Sequence, residues 1–381
     1  MKLCYIICMN KYNVTGIVVE YNPFHYGHLY HIKQARQITN CDILIAVMSS
    51  HFVQRGEPVI IDKWTRTQIA LENGVDIVLE LPFHFTNQSA TQFAFGSIEI
   101  LKQLEINHLV FGSESNNLDE LKEIASLNVN PNYFKELMNQ GHSYPKSYGL
   151  MAKSYGSNDI LGISYLKQIQ GSTITPHSIQ RIDNNYNDTS LSSGLASATA
   201  IRSALKNQLT VSKYTPMSNN FINHQIISID DYFPYIRHLL LTIDKQSMSE
   251  LHLFSEGIEN HLIKNAYHSY TFEEFINNTT TRRYTASRIK RTLMSLFVNA
   301  KKIDVDGLAK NKEVRVLGFN KKGQDYLKHL DNPLIKTNFR QLSSEYKKLE
   351  YQATHSFLIP YNIEYQKRIT KRELLSPIII Y

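Results

Sequence analysis

Cysteine is scarce in this sequence of 381 residues. Cys4, Cys8 and Cys41 are too few and too irregularly spaced for a disulfide framework or a thiolate zinc site, which favours a reducing compartment. We therefore predict a cytoplasmic protein. No apolar run approaches the ~20 residues that a membrane-spanning helix needs, so we expect no membrane partner. The opening MKLCYIICM has no cleavage-site pattern, and we interpret it as an extension rather than a targeting signal.

Acidic residues are outnumbered by basic ones. The chain has 41 Lys and Arg against 34 Asp and Glu, which gives a net charge of +7 and a pI near 9.0. This balance suits an anionic partner such as nucleic acid, although a basic cytosolic protein without such a partner would look the same. An apolar content of 42% is ordinary for a folded globular protein, so disorder is not expected.

Short apolar runs alternate with helical patterns over the first 225 residues. The predicted strands read IVVEY, DILIAVMSS, VDIVLELP, NHLVFGSES and TITPHSIQRID. The predicted helices cover 27–38, 62–72, 87–104, most of 141–171 and a segment from Ser197 onward, whereas 184–194 has the composition of a loop. Strands this apolar, separated by helices, pair in parallel with both faces covered. We predict an α/β fold with a Rossmann-like parallel sheet.

The alternation stops near residue 225, after which helical patterns dominate. We predict a first domain over residues 12–225 and a mostly helical, basic domain over residues 226–381. Within the second domain, VRVLGFNKKGQDYL predicts a strand, a turn and a helix, so helices are not its only elements.

One short motif, Asn22-Pro23-Phe24-His25-Tyr26-Gly27-His28, joins the first predicted strand to the first helix. A helix N-terminus offers unpaired N–H groups and a partial positive charge to a phosphate, and Gly27 lets that phosphate approach the backbone. His25 and His28 add side-chain donors at the same place. The structural alternative is that both histidines only cap the helix. His31 extends the series, but the three imidazoles cannot share one helical face well, so we predict no metal site.

This motif and several later strings together resemble the tRNA(Met) cytidine acetate ligase family, a branch of the HIGH-motif nucleotidyltransferases. The later strings are SHFVQRGEPVIIDKWTRTQIAL, FGSES, SATAIR, RRYTASRIKRTL and VRVLGFNKKG. The resemblance extends from about Gly16 to the end and implies a sheet of the HUP type. It also implies that ATP activates acetate as acetyl-adenylate, and that the acetyl group is transferred to N4 of the wobble cytidine (C34) of elongator tRNA(Met). Mg²⁺ is expected with the ATP, and the oligomeric state stays open.

The resemblance implies roles for individual residues. His25 and His28 would be catalytic, because preorganised donors stabilise the charge that develops on phosphoryl oxygens. The predicted ATP-binding residues are Val18, Val19, Glu20, Tyr21, Asn22, Pro23, Phe24, His25, Gly27, His28, His31, Gly112, Asn158, Arg181, Ser197, Thr199 and Arg202.

Several of these residues also have purely structural interpretations. Ser197, Thr199 and Arg202 occupy positions of the signature commonly written ISSTxIR, which surrounds the β and γ phosphates; Ala198 replaces one hydroxyl and puts one contact in doubt. Ser197 also suits a helix N-cap, and the two roles are compatible. Gly112 could be only a turn, and without the resemblance Asn158 would be assigned to a helix cap and Arg181 to the surface.

Two clusters of basic residues are predicted to bind tRNA. Arg282, Arg283, Arg288, Lys290 and Arg291 fall in a stretch that contains no acid, and Lys63 and Arg66 lie near a helix start, where cations oppose the macrodipole. A solvated basic face is the alternative in both places. Lys321 and Lys322 could extend the same surface. Near the predicted active-site rim, we expect His51 and Gln54 to border the acetate pocket.

Two other function classes share part of this pattern. A small-molecule adenylyltransferase of the pantetheine-phosphate or nicotinamide-nucleotide type needs the same phosphate signatures but no large basic second domain. A catalytically silent RNA-binding protein would retain the fold but would have lost the catalytic residues. The presence of His25, Gly27, His28 and Arg202 argues against that loss.

Overall fold

A mostly parallel, eight-stranded sheet organises the protein, in a computed structural model that describes residues 12–127, 155–181 and 196–381. The sheet order is β10-β8-β5-β2-β1-β6-β7, with β9 paired to β8, and β3 and β4 form a separate hairpin. The strands are β1 Val14–Val19, β2 Ile43–Ser49, β3 Phe52–Val53, β4 Glu57–Pro58, β5 Ile77–Leu81, β6 His108–Ser113, β7 Thr175–Gln180, β8 Val314–Phe319, β9 Ile335–Lys336 and β10 Ile378–Ile379.

The central strands are apolar because both faces of the sheet are covered. β1 pairs in parallel with β2 and β6, β2 with β5, and β6 with β7. Alternate residues of β2 enter two different cores: Leu44 and Ala46 pack on one side of the sheet, and Ile43 and Ile45 on the other. The predicted Rossmann-like α/β fold is confirmed.

The α-helices of the described residues account for most of the rest of the chain. The predicted helix over 87–104 is present as a helix that begins after Ser89, and a separate short helix over Phe83–Thr86 precedes it. In chain order, the helices are α1 Tyr26–Thr39, α2 Lys63–Glu72, α3 Phe83–Thr86, α4 Ala90–Gln103, α5 Leu118–Ser126, α6 Ser157–Ile169, α7 Ala198–Lys206, α8 Ile229–Thr242, α9 Lys245–Ser249, α10 Ile258–Ala266, α11 Phe272–Thr279, α12 Ala286–Val298, α13 Lys302–Leu308, α14 Lys321–Leu330, α15 Ser344–Leu358 and α16 Ile363–Glu373.

The C-terminal part of the chain returns to the N-terminal sheet. β8 pairs antiparallel with β5, and β10 pairs in parallel with β8. β8 and α14 are the strand and helix that VRVLGFNKKGQDYL predicts. Strands from both sides of residue 225 share one sheet, so the sheet does not end at the predicted domain boundary. The division into two domains stays a prediction.

Some predictions fall outside the described residues, namely the loop over 184–194 and the part of 141–171 that precedes residue 155. Within the described ranges, no helix combines the length and the apolar character that crossing a bilayer would require.

Candidate active site

The loop after β1 places the histidine motif at the carboxyl edge of the sheet. Tyr21 adopts a left-handed conformation with φ of +51°, and the Asn22–Pro23 peptide bond is cis. The side chain of Asn22 fastens this loop to a distant segment, because its Oδ1 accepts a hydrogen bond from Ile60 N at 2.8 Å. The loop thus delivers His25 to the start of α1.

His25 and His28 cap α1 reciprocally. Nδ1 of His25 accepts a hydrogen bond from Gly27 N at 3.0 Å, and Nδ1 of His28 accepts one from His25 N at 3.2 Å. A neutral imidazole carries its proton on the nitrogen that is not accepting, so both rings carry it on Nε2. Both histidines therefore cap the helix, and the same bonds fix each ring as an Nε2–H donor, so capping and ligand binding are compatible and the catalytic role stays a prediction.

The environment keeps the rings of His28 and His31 neutral. Burial lowers the pKa of His28 well below its usual value, and the neighbouring His25, His31 and Arg181 lower it further. His31 donates from Nε2 to Val110 O on β6 at 3.3 Å, and burial lowers its pKa to about 4. Neutral imidazoles provide N–H donors to an anion without the desolvation cost of a buried charge.

A second helix N-terminus faces the same region. Ser197 caps α7, and its Oγ accepts a hydrogen bond from Ala200 N at 3.1 Å. Arg202, one turn further along, donates to Asn22 O at 2.7 Å and to Thr199 Oγ1 at 3.3 Å. Two helix starts and one guanidinium therefore converge on the loop after β1, an arrangement suited to a polyphosphate.

A cavity of about 250 Å³ lies between these elements. All but three of the predicted ATP-binding residues line it. The exceptions are Pro23, Phe24 and Thr199: Phe24 is fully buried in the core, and the Thr199 hydroxyl accepts from Arg202. Ala198 does line the cavity, so the position where the related signature has a hydroxyl faces the site.

Sequence reasoning missed several residues of the cavity wall. They are Tyr30, Val53, Arg55, Glu57, Phe93, Phe111, Ser157, Leu161, Tyr165, Ile179 and Gln180. Most of these side chains are apolar and lie on helices or strands, where sequence alone assigns them to the core. Phe111 had a detectable signal, because it directly precedes Gly112 at the carboxyl end of β6.

The FGSES string forms a carboxylate-capped turn. Glu114 caps α6, since its Oε1 accepts from Asn158 N at 3.1 Å and from Asn158 Nδ2 at 2.6 Å. In return, Asp159 accepts from the backbone N of Glu114 and of Ser115, each at 3.1 Å. Asn158 gives one of its two amide N–H groups to Glu114, and no hydrogen bond within the described residues engages its side-chain oxygen, so that oxygen can accept from a ligand.

Gly112 lies under the side chain of Arg181. A Cβ at Gly112 would lie 3.4 Å from Cγ of Arg181, which is an ordinary van der Waals contact, so the space alone does not require glycine there. Both residues line the cavity.

The β3–β4 hairpin joins the cavity to the basic helix α12. Gly56 has φ of +75°, and a Cβ there would lie 2.4 Å from Arg291 N, so only glycine fits between them. Lys290 forms an ion pair with Glu57, and Arg291 donates to Gln54 O at 3.4 Å. The hairpin thus forms one rim of the cavity, and α12 packs against that rim.

The predicted basic cluster divides between this rim and solvent. Arg282 and Arg283 are exposed, and Arg283 and Arg288 each lie 3.3 Å from Glu256. Arg291 is mostly buried, and this burial lowers its pKa to about 10. Arg282, Arg283 and Arg288 therefore carry the charge that faces outward.

Lys63 and Arg66 cannot contact tRNA, because both side chains are fully buried. Lys63 Nζ lies 2.5 Å from Glu80 and 2.8 Å from Glu373. Arg66 donates to four carbonyl oxygens, those of Ile61, Glu20, Ser49 and Ser50. Their assignment to tRNA binding is wrong. Glu80, an acid inside the apolar strand VDIVLELP, was the available signal that an internal cation was needed.

Of the two residues expected to border the acetate pocket, Gln54 lines the cavity and His51 does not. The His51 ring instead stacks on Phe357, with ring centroids 4.5 Å apart. Lys321 and Lys322 are exposed on α14, and a tRNA contact there stays a prediction.

Within the described ranges, no group of three or more His, Cys, Asp or Glu residues could hold a metal ion.

Comparison with known proteins identifies the family of the chain. The family model described as HIGH Nucleotidyl Transferase matches residues 12–373. A tRNA(Met) cytidine acetate ligase of Clostridium novyi is 37% identical over 379 residues, which covers 91% of this chain and 94% of that protein. A protein of the same name from Caldicellulosiruptor saccharolyticus is 39% identical over 335 residues, covering 82% and 84%.

Solved structures show the same similarity. The apo structure of Thermotoga maritima TmcAL matches with a TM-score of 0.87 at 30% identity, covering 97% of this chain and 99% of that one. The structure of TmcAL bound with alpha-thio ATP matches with a TM-score of 0.84 at 29% identity. The fold and the imidazole pair define a HIGH-motif nucleotidyltransferase. Within that class, the chain belongs to the tRNA(Met) cytidine acetate ligase family, so the resemblance seen in the sequence is confirmed.

Proposed function

We propose that this protein uses ATP to activate acetate as acetyl-adenylate and then transfers the acetyl group to N4 of the wobble cytidine, C34, of elongator tRNA(Met). One observation carries the proposal: two imidazoles held as Nε2–H donors lie in the same cavity as Arg202 and the N-termini of α1 and α7. The names of the relatives supply the RNA and the acid.

The first step is attack of an acetate oxygen on the α-phosphorus. The bond between that phosphorus and the bridging oxygen to the β-phosphate breaks, and pyrophosphate leaves. Negative charge grows on the phosphoryl oxygens and on the pyrophosphate, and fixed donors stabilise it. His25 and His28 are the proposed catalytic donors, with Arg202 and the Ser197-capped helix at the β and γ phosphates.

The nucleoside part of ATP is proposed to lie toward Gly112 and Asn158. The Asn158 side-chain oxygen can accept a hydrogen bond from an amino or hydroxyl group there. Arg181 would contribute positive charge to the phosphates. We propose that Mg²⁺ arrives on the triphosphate, whose oxygens are its preferred ligands. The related TmcAL structure with alpha-thio ATP supports nucleotide binding in this family.

The tRNA is proposed to dock on α12 and the segment before it. Arg282 and Arg283 face solvent and Arg288 is half-buried beside them, whereas Lys290 and Arg291 lie where α12 meets the cavity rim. Contacts of such groups with phosphates position an RNA backbone and make its affinity depend on salt. An RNA bound there would lie beside the cavity, which is where a cytidine must reach the activated acetyl group.

Incubation with ATP, labelled acetate and tRNA tests the proposal. We expect acid-stable label in the RNA that digests to N4-acetylcytidine, and AMP and pyrophosphate formed in equal amounts. Omission of ATP or of acetate should abolish the label, and an elongator tRNA(Met) transcript with C34 changed to uridine should stay unlabelled. Adenylate transfer to a phosphorylated metabolite without acetate would instead identify a small-molecule adenylyltransferase, and RNA binding without turnover would identify a silent binding protein.

A further inference from the structure

Two carboxylates line the cavity within the described residues, and their surroundings differ. Glu57 forms an ion pair with Lys290. Burial opposes its ionisation, but the charges of Lys290, Arg202 and Arg55 outweigh burial and lower its pKa. Burial raises the pKa of Glu20, although the Gln54 N–H bond and the guanidinium groups of Arg55, Arg202 and Arg66 oppose that rise. Of the two carboxylates, Glu20 is the stronger base.

Glu20 is also held in place at the junction of the two substrate sites. Its Oε1 accepts a hydrogen bond from Gln54 N at 2.8 Å, and its carbonyl oxygen accepts one from the buried Arg66 at 2.7 Å. Among the described residues, only Oε1 of this carboxylate receives a hydrogen bond, so Oε2 has its lone pairs available to a substrate. Gln54 belongs to the hairpin that packs on α12, and Glu20 therefore lies between the phosphate-binding loop and the proposed tRNA rim.

The other basic groups of the cavity are poor proton acceptors. Nδ1 of His25 and Nδ1 of His28 already accept backbone N–H groups, so neither ring has a lone pair available. Burial lowers the pKa of His31 to about 4, and its Nε2 already donates to Val110 O, so this ring is a weak base. Burial raises the pKa of the phenols of Tyr21 and Tyr165, so both stay protonated.

We propose that Glu20 is the general base of the transfer step. This inference rests on the proposed function, because it concerns the amine that attacks acetyl-adenylate. N4 of cytidine forms a bond to the acetyl carbon, the bond from that carbon to the phosphate oxygen of AMP breaks, and AMP leaves as the phosphate anion. The proton of N4 passes to Oε2 of Glu20 and from there to solvent. Positioned general bases contribute about 10²–10⁴-fold to rates, most effectively when burial has raised their pKa.

Glu20→Gln tests this role because glutamine keeps an oxygen for the Gln54 N–H but cannot take the proton. Two rates are measured: acetate-dependent ATP–pyrophosphate exchange, and acetyl transfer to tRNA in a single turnover of preformed acetyl-adenylate. We expect transfer to fall by about 10²-fold or more, and exchange to fall much less. Equal losses in both rates would overturn the proposal and assign Glu20 to nucleotide binding.

The pH dependence of the transfer rate gives a second readout, which a merely structural role of Glu20 would not change. A general base must be deprotonated, so the rate should rise with pH through one ionisation and then level off. This rise should be absent in Glu20→Gln and retained in Glu57→Gln, the matched change at the other cavity carboxylate. Retention of the rise in Glu20→Gln, or its absence in wild-type protein, would overturn the role.

Failure of the proposed function gives a different result. A wild-type protein that forms no acetyl-adenylate overturns both proposals together. A wild-type protein that forms N4-acetylcytidine, with a Glu20→Gln variant that transfers at the wild-type rate, overturns the role of Glu20 alone. Glu72→Gln, on an exposed position of α2, controls for the loss of one negative charge.

Discussion

Replacement of Lys63 by methionine should destabilise the fold and leave RNA binding by the folded protein unaffected. Lys63 Nζ lies 2.5 Å from Glu80 and 2.8 Å from Glu373, and Arg315 contacts the same two carboxylates. Glu350 also lies in this cluster, but burial and the charge of Glu80 raise its pKa to about 8. With Glu350 protonated, two cations balance two carboxylates.

The magnitude follows from this charge balance. Methionine fills a similar volume but leaves two buried carboxylates facing one guanidinium. Removal of one partner of a buried ion pair costs about 3–5 kcal/mol. Because a folded domain is stable by only about 5–15 kcal/mol, the free energy of unfolding should fall by a large fraction. Glu80→Gln in the same chain removes the unbalanced charge, so the double variant should recover part of that loss.

Urea unfolding followed by circular dichroism measures the effect. Lys122→Met is the matched control, because the Lys122 ammonium is half exposed and lies 3.8 Å from Asp119. A surface pair of this kind should contribute less than about 1 kcal/mol. A Lys63→Met protein that is as stable as wild type and binds tRNA more weakly would refute the reasoning, because it would mean that Lys63 reaches solvent.

Three further predictions concern pH, catalysis and RNA. The folded-state pKa of Glu350, about 8, exceeds the ordinary 4.5, so its contribution to stability is complete below 4.5 and is lost as the pH rises toward 8. Glu350→Gln should therefore flatten the pH dependence of the urea midpoint above pH 5, and parallel slopes in the two proteins would contradict this. His28→Ala should cost about 2–4 kcal/mol of transition-state stabilisation in acetate-dependent ATP–pyrophosphate exchange, and an unchanged exchange rate would remove His28 from the mechanism. Arg282→Ala combined with Arg283→Ala should weaken tRNA binding and reduce the slope of log affinity against log salt by about 1 for each lost phosphate contact. Filter binding at several salt concentrations measures it, and an unchanged slope would place the RNA elsewhere.

Signals that act over a few residues were readable from the sequence. Asp62 accepts hydrogen bonds from Trp64 N and Thr65 N as the cap of α2, and Ser197 caps α7. The strand-to-helix turn at His25 was equally local, because both partners of each capping bond lie within three residues. Such contacts join residues that are two or three positions apart, so the order of residue types in the sequence is enough to predict them.

Contacts between distant segments were not readable. Charge and position made Lys63 look like an RNA contact, yet one of its partners, Glu373, is 310 residues away. The close approach of Gly56 to Arg291 likewise joins a hairpin to a helix far along the chain. No short sequence pattern predicts either contact.

The sequence by itself determined the parallel α/β sheet, the strand-to-helix turn at His25 and the family, because these depend on periodicity and on residues that are neighbours in the chain. The tertiary structure alone decided which cations are internal counter-ions, which apolar side chains form the cavity wall, and that β8 returns antiparallel to β5. The physical reason is burial. Whether a lysine faces a phosphate or a carboxylate depends on what excludes water around it, and that is set by segments that meet only when the chain has folded.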